Sequence, residues 1–189
     1  MRRQSIFLLE THNFSVRIWL WKTSFAYNKA NFSKEVLILE KEVDRKTRPN
    51  WIIHYVANGV RCETCGNITY PYLPDICDAH THGLSQYGHL EFQVILDMGP
   101  RNIGYILNEF GFRVRSGEKF KDGDIVNGIF EDCPVRLVEM DDSVGERVLR
   151  IVIPDSQNRW PEDKACDPPY TQQIFHLDLL RNLNDHHQH

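Results

Sequence analysis

Four residues stand at the spacing of a metal site: Cys62-x2-Cys65, then eleven residues, then Cys77-x2-His80. Two intervening residues let a pair of side chains reach one tetrahedral centre at about 2.0 to 2.3 Å. Gly66 permits the tight backbone such a turn needs. Thiolates and imidazoles suit zinc better than magnesium or calcium. The pattern predicts one zinc held by Cys62, Cys65, Cys77 and His80. His82 competes with His80 for the fourth place, because the two alternate on an extended segment and project to one face. Four protein ligands close the site and make the ion structural; catalysis needs an open position.

A second group lies just beyond. His89 and Glu91 are two apart beside an expected strand, as an acid/base pair or a turn-stabilising contact would be. The run Asp78-Ala79-His80-Thr81-His82-Gly83 looks like the His-x-His that opens amidohydrolase barrels. Such barrels typically need about 250 residues, and too few follow His82. Arg113, Arg115, Lys119 and Lys121 cluster around Gly117, with Asp122 and Asp124 partly neutralising them; this reads as a solvated hairpin. Cys133 and Cys166 lack neighbouring chelators. There is no phosphate loop, dinucleotide fingerprint or Ser-His-Asp order.

The elements that must hold these residues follow from pattern. At 189 residues, 41% hydrophobic and 25% charged, the chain has globular composition and enough length for a core. Phe14 to Trp21 reads as a strand, Val36 to Leu39 as a strand or, with its flanking Lys and Glu, equally a helix, and Lys41 to Arg48 as a charged connector, so residues 1–46 form an N-terminal extension. Residues 47–180 form one domain, containing a zinc loop over 59–83, and 181–189 a polar tail. Trp51 to Val56 reads as a strand ending in the Asn58-Gly59 turn. Glu91 to Leu96 is a strand, and Gly99-Pro100 opens a helix over about 100–110 with Ile103, Ile106, Leu107 and Phe110 on one face. Gly111 is expected to stop it. Short strands follow at 112–114, 125–130, 135–138 and 148–153. One principal helix among short strands predicts an α+β fold, mostly an antiparallel sheet, with the 59–83 loop dependent on zinc for want of apolar material.

A series of short motifs carries a resemblance. Thr81-His82-Gly83-Leu84, Gly88-His89-Leu90-Glu91-Phe92, Leu107-Asn108, Arg113-Val114, Gly117 to Gly123, Pro154-Asp155, Pro161-Glu162-Asp163 and Gln172 resemble the bacterial family called domain of unknown function 4262, over about residues 75 to 175. The resemblance implies no activity. The family more often carries an aromatic or apolar residue where His80 and His82 stand, and Pro in place of Leu90, so the zinc expectation rests on the residues themselves.

The function classes narrow accordingly. A net charge of -4 gives no reason to expect nucleic acid or an anionic membrane. No apolar run approaches the roughly 20 residues that span a bilayer, and Met1-Arg2-Arg3 is followed by too short an apolar stretch for a signal peptide. Five cysteines, three of them crowded together, fit a reducing cytoplasm and a metal better than disulfides. The expectation is a zinc-binding cytoplasmic protein, a binding or regulatory module whose partner is unknown, with another protein as the candidate. The alternative is a small metal-dependent hydrolase using His82, His89 and Glu91.

Overall fold

The structure is a computed structural model, and it describes residues 44–57, 59–69 and 75–176. The strand expected at 14–21, the strand or helix at 36–39, Asn58 of the turn, Pro71 and Pro74, and the polar tail lie outside the described residues.

Strands β1 (Ile52–Ala57), β2 (Ile76–His82), β3 (Glu91–Leu96), β4 (Ile125–Val126), β5 (Val135–Asp141) and β6 (Arg147–Val152) form one sheet in the order β1-β2-β3-β6-β5-β4. Helix α1 (Pro100–Arg115) connects β3 toward the β4–β6 meander. Every pairing is antiparallel except β3 with β6, where the excursion through α1, β4 and β5 is long enough to bring the chain back parallel. The fold is α+β. Among the described residues no helix is long and apolar enough to cross a membrane.

One face of the sheet carries the core. Cys77 and Ala79 of β2, Phe92 and Val94 of β3, Leu149 and Ile151 of β6 and Leu137 of β5 pack against Ile103, Ile106, Leu107, Phe110 and Val114 of α1. The i, i+3, i+4, i+7 stripe on the helix is the one its sequence shows, with Pro100 in its first turn.

Two expectations fail here. Helix α1 runs through Gly111 to Arg115, so 112–114 is its last turn and not a strand. The stop is Gly117, at φ 94°: its N–H donates to Val114 O and that of Glu118 to Arg113 O, closing the helix in a left-handed turn. Gly111 is there for contact, since a β-carbon on it would stand 2.5 Å from Cε2 and Cζ2 of Trp51. The second failure concerns the loop over 59–83. Its second half is β2, buried from Ile76 to Thr81 and paired on both sides, so 59–83 is not loop throughout and that half has packing of its own.

The charged connector is exposed but tethered. The Arg45 guanidinium donates to both carboxylate oxygens of Glu109 at 2.9 and 2.5 Å, and Arg115 donates to the carbonyls of Asp44 and Arg48. Arg113 bonds Glu109 and Asn127 O, and Lys119 bonds Tyr87 O. These cations hold turns in place.

Candidate metal centre

The other face of the sheet is polar at its β1–β2 end. Strand alternation puts Asp78, His80 and His82 of β2 on that face, with Cys77, Ala79 and Thr81 on the core side. Antiparallel pairing sets His54 of β1 directly opposite His80. The same register continues to Gln93 of β3 and Arg150 of β6, giving a polar row across four strands.

Over the His54–His80 end lies the 59–69 segment. Arg61 and Ile68 form an antiparallel bridge, the Cys62 N–H donates to Asn67 O at 2.7 Å, and the Gly66 N–H donates to Cys62 O at 2.9 Å. Gly66 at φ 82° allows the reversal. Asn67 fastens the turn to the sheet: its Nδ2 donates to Asp78 Oδ2 at 3.0 Å and to Asp142 Oδ2 at 2.9 Å. The Ile68 N–H donates to Ser143 Oγ at 3.0 Å.

The result is a group of donors from three segments. One ligand atom each from His54, Cys65, His80 and His82 all lie within 4.8 Å of one another, a group that could hold a metal ion. Cys65 Sγ is 3.6 Å from His54 Nδ1 and 3.3 Å from His80 Nε2. Cys62 Sγ is at the edge, 3.3 Å from His54 Nδ1. The ring centroids of His82 are 4.5 and 4.8 Å from those of His54 and His80. Nε2 of His82 is buried with no hydrogen-bond partner among the described residues.

His80 is braced from behind. Its Nδ1 is 2.9 Å from Oδ1 of fully buried Asp78, which fixes the tautomer and leaves Nε2 free as an electron-pair donor toward Cys65. Burial works against the Asp78 charge, but the hydrogen bonds from His80, Gln93 and Asn67 hold its carboxyl below the usual range. The Gln93 amide in turn accepts from Nε of fully buried Arg150 at 2.9 Å, and Arg150 also donates to the carbonyls of Gln173 and Phe175. Burial lowers the Arg150 pKa to about 10, a value that leaves it charged.

Two of the imidazoles and one of the thiols are electrostatically prepared for a cation. Burial, with His82 and His80 beside it, lowers the His54 pKa to about 4, and burial together with His80 lowers that of His82. Burial opposes the Cys62 thiolate, yet the backbone N–H groups of Cys65 and Thr64 hold its pKa below the ordinary value. Burial pushes the Cys65 thiol up to about 11, so an arriving cation must displace its proton.

A pH dependence follows. His54 and His82 refuse protons in the folded chain that they accept near pH 6.5 when unfolded. The unfolded state therefore binds more protons as pH falls, and stability must fall with it. In metal-free protein the urea midpoint is expected to hold steady between about pH 7 and 8 and to drop between about pH 6.5 and 4. His54→Gln is expected to flatten part of that drop. A midpoint insensitive to pH over that range would contradict this account.

The residues singled out by spacing are sorted differently by the fold. Cys62, Cys65, His80 and His82 come together. Cys77 does not: it is on the core face, fully buried, with its Sγ donating to Val94 O at 3.6 Å. A two-residue gap chelates in a turn, but in a strand it puts Cys77 and His80 on opposite faces. His54 stands in the group instead, and pairing across strands brings it there. His89 and Glu91 are used elsewhere. His89 Nδ1 is 2.7 Å from Leu90 O, and Nε2 accepts the Phe120 N–H at 3.1 Å. Glu91 accepts the N–H groups of Gly83 and Leu84 and the Thr81 hydroxyl, so its carboxylate caps the turn over Leu84–Tyr87.

No curated protein and no solved structure matches the chain. The family described as "Domain of unknown function (DUF4262)" matches residues 73–167, which include Asp78, His80 and His82 and leave out His54, Cys62 and Cys65. That match spans half of the chain, and the chain belongs to this family.

Proposed function

We propose that this chain is a zinc-binding protein in which the ion clamps the 59–69 turn onto the polar face of the sheet, building a surface that another protein recognises. The observation that carries the reading is the convergence of His54, Cys65, His80 and His82, with Cys62 in reach, from three separate segments. In a tetrahedral zinc site a sulfur and a nitrogen ligand stand about 3.5 Å apart. The three sulfur–nitrogen separations here are 3.3, 3.6 and 3.3 Å. Mixed imidazole and thiolate donors favour zinc among common cations. The unpartnered Nε2 of His82 would gain its partner from the ion.

Four donors close a tetrahedron, and Cys62 is a fifth, so the ion is structural in this reading. Hydrolysis by His82, His89 and Glu91 has little support, because backbone groups occupy both nitrogens of His89 and the carboxylate of Glu91. Val60, exposed on the clamped turn, and Ile52, exposed on β1 opposite His82, supply apolar area for a protein partner. The described cysteines are all free thiols, which fits a reducing cytoplasm, and residues 47–180 would be the functional unit.

Metal content tests the reading. Protein purified without added metal is expected to carry about one equivalent of zinc by elemental analysis. An ion present at 1,000 times its dissociation constant stabilises by about 4 kcal/mol, which is roughly 8 to 16 °C in a domain of this size. Chelation is expected to lower the melting temperature on that scale, and added zinc to restore it. Metal-free protein with an unchanged melt would refute the proposal.

A further inference from the structure

The five donors belong to two layers. His54, His80 and His82 stand on one face of adjacent strands, with His54 and His80 paired in register and β2 enclosed between β1 and β3. Asp78 braces His80, and Gln93 and Asn67 brace Asp78. The two sulfurs sit on a turn above. That turn is fastened through Asn67 and Ile68, not through its cysteines. The sulfurs can therefore change chemistry while the turn stays seated and the imidazoles stay in place.

Cys62 and Cys65 are placed to join. The Gly66 N–H to Cys62 O bond closes 62–66 into a single five-residue turn, where α-carbons three residues apart lie within about 7 Å, inside the reach of a disulfide. Both thiols are partly exposed. We propose that a peroxide oxidises this pair and thereby opens the metal site without emptying it, leaving the ion on His54, His80 and His82 with one position for water or a small anion. The inference rests on the zinc reading above. Cys62, at the edge of the group, attacks the peroxide oxygen; its sulfur becomes a sulfenic acid and hydroxide leaves. The Cys65 thiolate then leaves the ion and displaces a second hydroxide from that sulfur, forming the disulfide. Two sulfurs lose one electron each, and the peroxide takes up both. Disulfide sulfur is a poor ligand, so water fills the vacated corner. Three histidines and a water form the open arrangement in which zinc makes hydroxide available near neutral pH.

Cobalt makes this visible. The full-length Cys133→Ser chain, which lacks the remaining partly exposed thiol, is loaded with one cobalt(II) and treated with hydrogen peroxide under argon. The expected result is loss of two thiols, complete loss of the thiolate-to-cobalt charge-transfer band, and retention of the cobalt through desalting. Azide is expected to shift the remaining visible bands after oxidation and to leave them unchanged before it. Dithiothreitol is expected to reverse the changes. Cys62→Ser/Cys65→Ser is expected to bind cobalt more weakly and to respond to azide without oxidation; if that variant does not fold, the peroxide experiment decides alone. Cobalt released in step with thiol loss would overturn the inference, as would an azide response in the reduced protein. Failure of the reduced chain to bind cobalt or zinc would overturn the zinc reading itself.

Discussion

His80→Ala is expected to lose its metal on dialysis, whereas Cys77→Ala is expected to keep a full equivalent and merely melt lower. The two residues lie three apart on one strand, and the fold assigns them to different problems. His80 is 3% exposed, presents Nε2 to Cys65 and bonds buried Asp78 through Nδ1. Its removal takes a ligand from the ion and a hydrogen bond from a buried carboxylate, the latter worth about 1.5 to 3 kcal/mol. Metal affinity should fall at least 100-fold, beyond the 10- to 100-fold range typical for loss of an outer-sphere partner. Cys77→Ala removes one sulfur from a packed core, a loss of about 1 to 2 kcal/mol with no direct effect on the ion. His82→Ala is expected to weaken metal binding without abolishing it, because Cys62 stands 3.3 Å from His54 Nδ1 and can take the empty corner. Equilibrium dialysis against a zinc-buffered chelator, beside urea unfolding of each variant, separates the effects. Loss of the metal from Cys77→Ala as well as from His80→Ala would restore the ligand set expected from spacing.

That contrast also shows where the sequence was legible. β3 is at Glu91–Leu96, where the sequence reads as a strand, and the start of α1 is where Gly99-Pro100 predicts. Both signals are local: a short apolar run for a strand, proline in the first turn for a helix. The chemistry around Cys62 and Cys65 was also local, a turn closed by a glycine. Cys77 was misplaced because spacing was read without the strand it belongs to. Ile76-Cys-Asp-Ala-His-Thr-His82 has too many polar residues to advertise a buried strand, and its polar face is buried only because the 59–69 turn and Asp142 cover it. His54 had no local signal. It becomes a donor because β1 and β2 pair antiparallel with His54 against His80, a register that separation in sequence hides. A lone histidine in an expected strand, four residues before a turn that leads into Cys-x2-Cys, is the pattern to look for.

Gly111→Ala is expected to destabilise the protein, against the ordinary helix rule. Alanine in a helix interior is favoured over glycine by about 1 kcal/mol, so a surface position would gain. Here the new β-carbon would meet Cε2 and Cζ2 of Trp51 at 2.5 Å and Nε1 at 2.9 Å. The indole has little room to withdraw. It is 5% exposed, its Nε1 donates to Asn108 Oδ1 at 3.1 Å, Phe112 meets it edge-on at 5.2 Å, and the Arg115 guanidinium covers it at 5.4 Å. Overpacking of this kind costs about 1 to 3 kcal/mol, enough to cancel the helix gain and leave a net loss. The displacement also has a direction: Trp51 leads into β1, and His54 is three residues on. Urea unfolding should show a lower midpoint, and zinc affinity should weaken although no ligand has changed. Trp51→Phe removes the outer indole ring, so Trp51→Phe/Gly111→Ala should be more stable than the two single losses add up to, giving a favourable coupling of about 1 kcal/mol or more. Strict additivity in that cycle, or a gain in stability from Gly111→Ala alone, would mean that the glycine serves the helix and not the contact with Trp51.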